Sequence, residues 1–184
     1  MNASKEQEGE RAELKIEGVL SVKGVAVGKS QADALRSRGY GVTKEKGFIL
    51  NYYEALYLMD KGNLTVVDEK DRAVDFRKLL KCFEEVSANA WAQYLVYRDL
   101  RGRGYVIREG FGAGVDFRVY ERGDFSKDTA KYLVLTLQEG KPVSTADLTS
   151  VMMQTQSSKK ELILAVMNRR GEIVYYTVGQ LTLE

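Results

Sequence analysis

Leu95-Val96-Tyr97-Arg98-Asp99-Leu100-Arg101-Gly102-Arg103-Gly104-Tyr105-Val106 contains the change of hydrophobic period that decides the fold. Before it, Trp91, Tyr94, Leu95 and Arg98 follow one another towards Leu100 at helical spacing; from Tyr105 onward the period is two. Segments 105–108, 115–120, 132–137, 162–167 and 173–178 therefore read as strands. One helix interrupts them: Ser144 caps it, Asp147 stands at its third position, and Leu148, Val151 and Met152 face inward along a run to about Gln156. Asn168-Arg169-Arg170-Gly171 forms a hairpin turn between the last two strands. The carboxy-terminal part is thus a mixed or antiparallel sheet flanked by helices, an α+β unit.

Working upstream, Phe76, Leu79, Leu80, Phe83 and Val86 recur at helical spacing and predict a helix over 72–86, with Ser87 placed to cap the helix that follows. Cys82 lies beside that apolar stripe and is expected to pack rather than react. Further back, 14–20, 25–27, 48–50 and 64–67 read as short strands, and 30–38 as a helix closed by Gly39. Asn51 caps another helix, with Glu54 at the capping-box position, Leu56 and Met59 on its apolar face and Gly62 at its end. The charged stretch from Asp68 to Arg72 is the expected division. This gives a flexible tail at 1–13, a small mixed α/β domain at 14–70 and a second domain at 71–184.

Composition narrows the chemistry. With 44% hydrophobic and 29% charged residues and a single Pro, the 184-residue chain reads as a soluble protein. It has neither a long apolar run nor a signal-peptide core, so a cytoplasmic, membrane-free protein is expected. One Cys and no His exclude an internal disulfide and the common zinc sites, leaving catalysis that is metal-free or uses carboxylate-bound magnesium. The net charge of +2 says little, but Arg98, Arg101, Arg103, Arg108, Arg118 and Arg122 crowd one interval. Such a cluster is either a solvated basic face or a track for an RNA backbone. Gly110-Phe111-Gly112-Ala113-Gly114 is not a phosphate loop, because a strand rather than a helix follows it; a tight hairpin or bulge fits better.

Several blocks, in order, resemble the archaeal tRNA-splicing endonuclease family. They are the stretch from Leu95 to Val106, then Gly114-Val115-Asp116-Phe117-Arg118-Val119-Tyr120, Tyr132-Leu133-Val134, and Lys160-Glu161-Leu162-Ile163-Leu164-Ala165-Val166 leading to Gly171-Glu172-Ile173-Val174-Tyr175-Tyr176. Glu17-Gly18-Val19-Leu20 and Glu54-Ala55-Leu56-Tyr57-Leu58 fit the family's amino-terminal domain. The resemblance implies an assembly that cuts precursor tRNA at bulge-helix-bulge motifs and leaves a 2′,3′-cyclic phosphate, without metal or other cofactor. That chemistry needs a base for the 2′-hydroxyl, an acid for the leaving 5′-oxygen and a cation for the phosphorane, which the family supplies as tyrosine, histidine and lysine.

Tyr120 matches the tyrosine and Lys160 the lysine, but the histidine position falls on Thr129, whose hydroxyl is no useful proton donor at neutral pH. Losing a positioned general acid costs about a hundred-fold to ten-thousand-fold in rate. By the same resemblance the family's Lys-Phe-Gly before Asp116 has become Gly112-Ala113-Gly114, and Met153 stands where an arginine often pinches a bulged base; Met153 is expected in the core.

The sequence therefore reads as the inactive structural subunit of a heterotetrameric splicing endonuclease, paired with a catalytic paralogue, with Tyr120 and Lys160 vestigial. Arg98, Arg101, Arg103 and Arg118 are the RNA-contact candidates. The family dimerises through its carboxy-terminal strands, which implies a seam along Val174, Tyr176, Val178 and Leu181. It docks dimers through an acidic hairpin loop, yet the corresponding loop here carries Arg169 and Arg170. A catalytic subunit with its histidine replaced, and a stand-alone RNA-binding relative, are the alternatives.

Overall fold

The computed structural model describes residues 15–45, 47–112, 114–121 and 129–179. The tail expected at 1–13, Arg122 and Leu181 lie outside the described residues. Alternating short strands, joined by glycine turns, build a first sheet from β1 (Ile16–Ser21), β2 (Gly24–Val27), β3 (Val42–Lys44), β4 (Gly47–Leu50), β5 (Leu64–Val67) and β6 (Ala73–Val74). Their order is β3-β4-β2-β1-β5-β6, with β1 and β5 parallel and the other pairs antiparallel. Helices α1 (Lys29–Ser37) and α2 (Tyr52–Asp60) connect them. The predicted capping geometry of α2 is present: the Glu54 carboxylate accepts the Asn51 amide at 2.8 Å.

The charged stretch from Asp68 to Arg72 is the turn of the β5–β6 hairpin, closed by the Asp68 amide on the Arg72 carbonyl at 2.9 Å. The first sheet thus continues through Val74, past the division expected at residues 70 and 71. It also shortens the next helix. Because Ala73 and Val74 commit their backbone to the sheet, α3 spans Phe76–Glu84 rather than 72–86, capped by Asp75, whose side chain accepts the Lys78 amide. Val86 then falls beyond the helix and is exposed, not on its buried stripe. Cys82 packs against the core, as expected.

Helix α4 (Ala90–Gly102) starts later than Ser87 suggests, because the Ser87 hydroxyl accepts the Asn89 amide and bonds the Gln93 side chain, making a turn that leaves Asn89 as the cap. The second sheet follows: β7 (Val106–Glu109), β8 (Phe117–Tyr120), β9 (Tyr132–Gln138), β10 (Glu161–Met167) and β11 (Ile173–Val178), in the order β11-β10-β9-β8-β7. Only β9 and β10 are parallel, so a crossover is required there, and α5 (Thr145–Ser157) supplies it. Ser144 caps α5 as predicted, accepting the Asp147 amide at 3.3 Å. Met153, expected in the core, is 66% exposed; α5 turns Val151 and Thr155 inward, with Leu148 and Met152 against the same small core.

The sheet has two unlike faces. Phe117, Val119 and Val134 point to α4 and join the large core, whereas Val115, Leu133 and Leu162 point to α5 and form a separate small one with Val151. Tyr53 of α2 locks the first face: its ring lies 4.9 Å from Tyr97 of α4 and 5.1 Å, edge-on, from Phe117 of β8. The first sheet's loop covers edge strand β7, with Arg101 donating to the Arg38 carbonyl at 2.9 Å and Arg108 to the Gly41 carbonyl. Of the hairpin or bulge that the glycines between β7 and β8 suggest, the hairpin is present, in unbroken register: the Gly110 amide bonds the Asp116 carbonyl at 2.8 Å, and a Cβ at Gly110 would lie 1.9 Å from the Val115 oxygen.

Candidate functional site

Strand register brings the three expected site positions to one end of the second sheet. Val119 pairs with Tyr132 and Tyr132 with Glu161, so one step further out Tyr120, Lys131 and Lys160 stand in a row across β8, β9 and β10. Adjacent strands lie about 4.8 Å apart, and the pleat turns Tyr120 and Lys160 to the α5 face, the face of Arg118, Leu133 and Leu162, whereas the Lys131 ammonium reaches Glu121 and the ring of Tyr132, which packs against the α4-side core. Thr129 lies two residues before Lys131, in the chain that enters β9.

Each side chain has a defined setting. Tyr120 is buried at 3% exposure. Lys160 is half-buried, and its ammonium donates to the Ala130 carbonyl at 2.7 Å. Thr129 is exposed. Lys131 pairs with Glu121 at 2.8 Å, and that hydrogen-bonded carboxylate holds its ammonium above the ordinary lysine range. Glu121 also accepts the Tyr132 hydroxyl at 3.3 Å. Lys160 is therefore the cation that the α5 face presents here, bonded to a backbone oxygen, while Lys131 is paired with a carboxylate; the site can attract a phosphate but carries no imidazole to move a proton. Sequence reasoning missed Lys131, whose pairing with Glu121 depends on two strand ends meeting in the sheet.

Asp116, at the entrance to β8, clamps this sheet to α4. It accepts from Gln93 Nε2 at 2.5 Å and from the Thr136 amide at 2.6 Å, and burial pushes its carboxyl up from the ordinary range. Among the described residues no group of three or more Cys, Asp or Glu is placed to hold a metal ion, and no helix is long and apolar enough to cross a membrane.

The arginines do not share one surface. Arg98 and Arg101 lie on α4 and Arg103 caps its end, behind the sheet from Lys160. Arg98 stacks over Tyr94 at 5.6 Å, Arg101 over Tyr40 at 4.0 Å, and Arg103 pairs with Asp99 at 2.8 Å. Arg118 alone of the four is on the α5 face with the candidate site. At the far edge, β11 leaves Val174 46% and Tyr176 54% exposed, with Val178 packed against the small core; Arg169 and Arg170 sit exposed on the turn that the Gly171 amide closes on the Asn168 carbonyl.

The comparisons with known proteins agree with this layout. The amino-terminal domain of tRNA intron endonuclease matches residues 16–80, and its catalytic carboxy-terminal domain matches residues 90–175. The chain is 36% identical to a tRNA-splicing endonuclease of Methanococcus vannielii over 84% of its own length and 88% of the relative's. It is 33% identical to the tRNA-splicing endonuclease of Methanothermobacter thermautotrophicus over 90% of its length and 97% of the relative's, and 34% identical to that of Pyrococcus furiosus over 77% and 81%. Fold and matched regions together define a two-domain α+β scaffold of the RNA-cutting type. The chain belongs to the tRNA intron endonuclease family.

Proposed function

We propose that this chain is the structural, catalytically inactive subunit of a cytoplasmic tRNA-splicing endonuclease, pairing with a catalytic paralogue in a heterotetramer that removes introns from precursor tRNA at bulge-helix-bulge motifs. The observation that carries the reading is Thr129 at the histidine position, exposed and without a titrating group near neutrality. Two others support it. Tyr120 is buried, a poor setting for a base that must meet a 2′-hydroxyl, and the Lys160 ammonium is already engaged by the Ala130 carbonyl. Assembly is the role left to the chain, and the exposed apolar positions Val174 and Tyr176 on edge strand β11 suit an antiparallel seam with a second subunit.

Arg169 and Arg170 favour a second reading. A basic turn does not match the acidic hairpin loop through which the family docks dimers, and a catalytic subunit with a replaced histidine, receiving that loop from its partner, accommodates it more easily. Co-expression with a histidine-bearing relative from the same genome separates the readings by native mass spectrometry. The structural-subunit reading expects a mixed tetramer that cuts bulge-helix-bulge RNA. Failure to pair at all points to a stand-alone RNA-binding protein, and cleavage by this chain alone to a catalytic subunit.

A further inference from the structure

Helix α4 ends at Gly102 before it has covered the whole second sheet, and the uncovered rows form a pocket of about 310 Å³ on the α4 face. Val119, Val134 and Ile163 make its floor, with the rings of Tyr132 and Tyr175 beside them. Val119 and Val134 are at 2% exposure, but Ile163, Tyr132 and Tyr175 are only half-buried, so apolar surface there still meets water. Strand β11 leaves the sheet next to this pocket. It runs antiparallel to β10 with Ile163 opposite Thr177 and Leu162 opposite Val178, which brings Gly179 level with Glu161 at the pocket's edge. Ile173 and Tyr175 pack on the α4-side core and Thr177 lines the pocket, whereas Val178 packs on the small core, so the odd positions of β11 face α4. Residues 180–184 lie outside the described residues, yet their sequence keeps this period: Gln180-Leu181-Thr182-Leu183-Glu184 puts both leucines at odd positions and polar residues between them.

We infer that Leu181 and Leu183 of the same chain fold back over the α4 face and fill this pocket, closing the strand ends that carry Lys131 and Lys160. Reach and geometry favour this occupant. Five residues span up to about 17 Å, and β9, which contributes Tyr132 and Val134, is two strand spacings or about 10 Å from β11. Gly179 is exposed and has open space where a Cβ would be, so the chain can turn there without a clash. A straight continuation would carry both leucines past the sheet into water. A tether this short holds them at an effective concentration on the order of millimolar, ahead of a dilute second copy. Val174 and Tyr176 face the other way, so this closure leaves them uncovered and does not depend on the proposed subunit role.

The test uses the full-length chain carrying Cys82→Ala and Thr182→Cys, which places a nitroxide label between the two leucines and removes neither. The amide NMR signals of Leu100 and Tyr105, on the far wall of the pocket, should broaden, while those of Thr155 and Ser158 at the end of α5 stay sharp. Replacing both leucines, by Leu181→Asn with Leu183→Asn, should speed amide exchange at residues 131–134 and 161–163 by about ten-fold. Broadening of Thr155 and Ser158 instead, or of neither pair, would overturn the inference, as would unchanged exchange in the double variant. A mixture of isotope-labelled chain without nitroxide and nitroxide-labelled chain without isotope should show no broadening. Broadening in that mixture would give the pocket to a second copy and overturn closure within one chain.

Discussion

On the α4 side of the second sheet, Tyr53, Tyr97 and Phe117 meet ring to ring, inside a core that joins both sheets. The α5 side has, among the described residues, a core of four buried side chains, Val115, Leu133, Val151 and Leu162, and beyond it Lys160 stands half-buried. Folding free energy is concentrated on the first side and site chemistry on the second. A residue such as Thr129 can change there without disturbing the packing, so a scaffold can keep its fold after losing a proton donor. On the proposed reading, the same separation lets the family be readable across the chain while Thr129 occupies a reactive position.

The sharpest way to break this comparison is to damage the first side. Phe117→Ala removes a ring at 1% exposure from the aromatic cluster and should destabilise the chain by about 3–5 kcal/mol, lowering the melting temperature by about 10 °C. Calorimetry would show it; a shift under 2 °C, on the order of 0.5 kcal/mol, would mean the cluster is not where the stability lies.

Glu54 gives a pH-dependent version of the same test. It is buried at 1% exposure between the Gly41 and Asn51 amides, 3.0 and 2.8 Å away, and burial lifts its carboxyl from 4.5 to about 7, partly offset by those amides and by Arg108 and Arg101. Since the folded pKa is the higher one, the native state binds more protons than the unfolded chain between these values. Its contribution is therefore full below about pH 4.5 and declines by about 3 kcal/mol as pH rises to about 7, then stays level. Chemical denaturation across that range measures the slope. Glu54→Gln should flatten it while losing one amide contact, and an unchanged slope would assign the effect to other groups.

A smaller effect is expected at the junction between the sheets. Arg101→Ala loses the bond to the Arg38 carbonyl and the stacking on Tyr40, and should cost about 2 kcal/mol, seen as faster amide exchange at residues 38–41. The smallest belongs to the site side. Thr129→Ala, at an exposed position, should change stability by less than about 0.5 kcal/mol, and a larger loss would give Thr129 a structural role that the comparison denies it.

The sequence made legible what depends on local spacing. Alternation placed β8 to β11, the Ser144 and Asn51 caps set two helix starts, and Gly171 with Asn168 set the last turn. It failed where a tertiary partner decides. Val42–Lys44 and Ala73–Val74 are too short to show a period and are strands only because β4 and β5 pair with them. Met153 reads as core by composition, but the helical rotation that buries Val151 and Thr155 turns it outward. Arg98, Arg101 and Arg118 look like parts of one track, yet α4 carries the first two and β8 the third to opposite faces of the sheet. The burial of Tyr120 was not visible either, since it depends on what packs over the strand end and not on the strand itself.

Single-turnover cleavage of a bulge-helix-bulge precursor by the purified full-length chain tests the central claim most directly, with a histidine-bearing relative as the reference. The account predicts a rate at least about a hundred-fold below the reference, because Thr129 supplies no general acid. A rate within ten-fold of the reference, leaving a 2′,3′-cyclic phosphate, would contradict it.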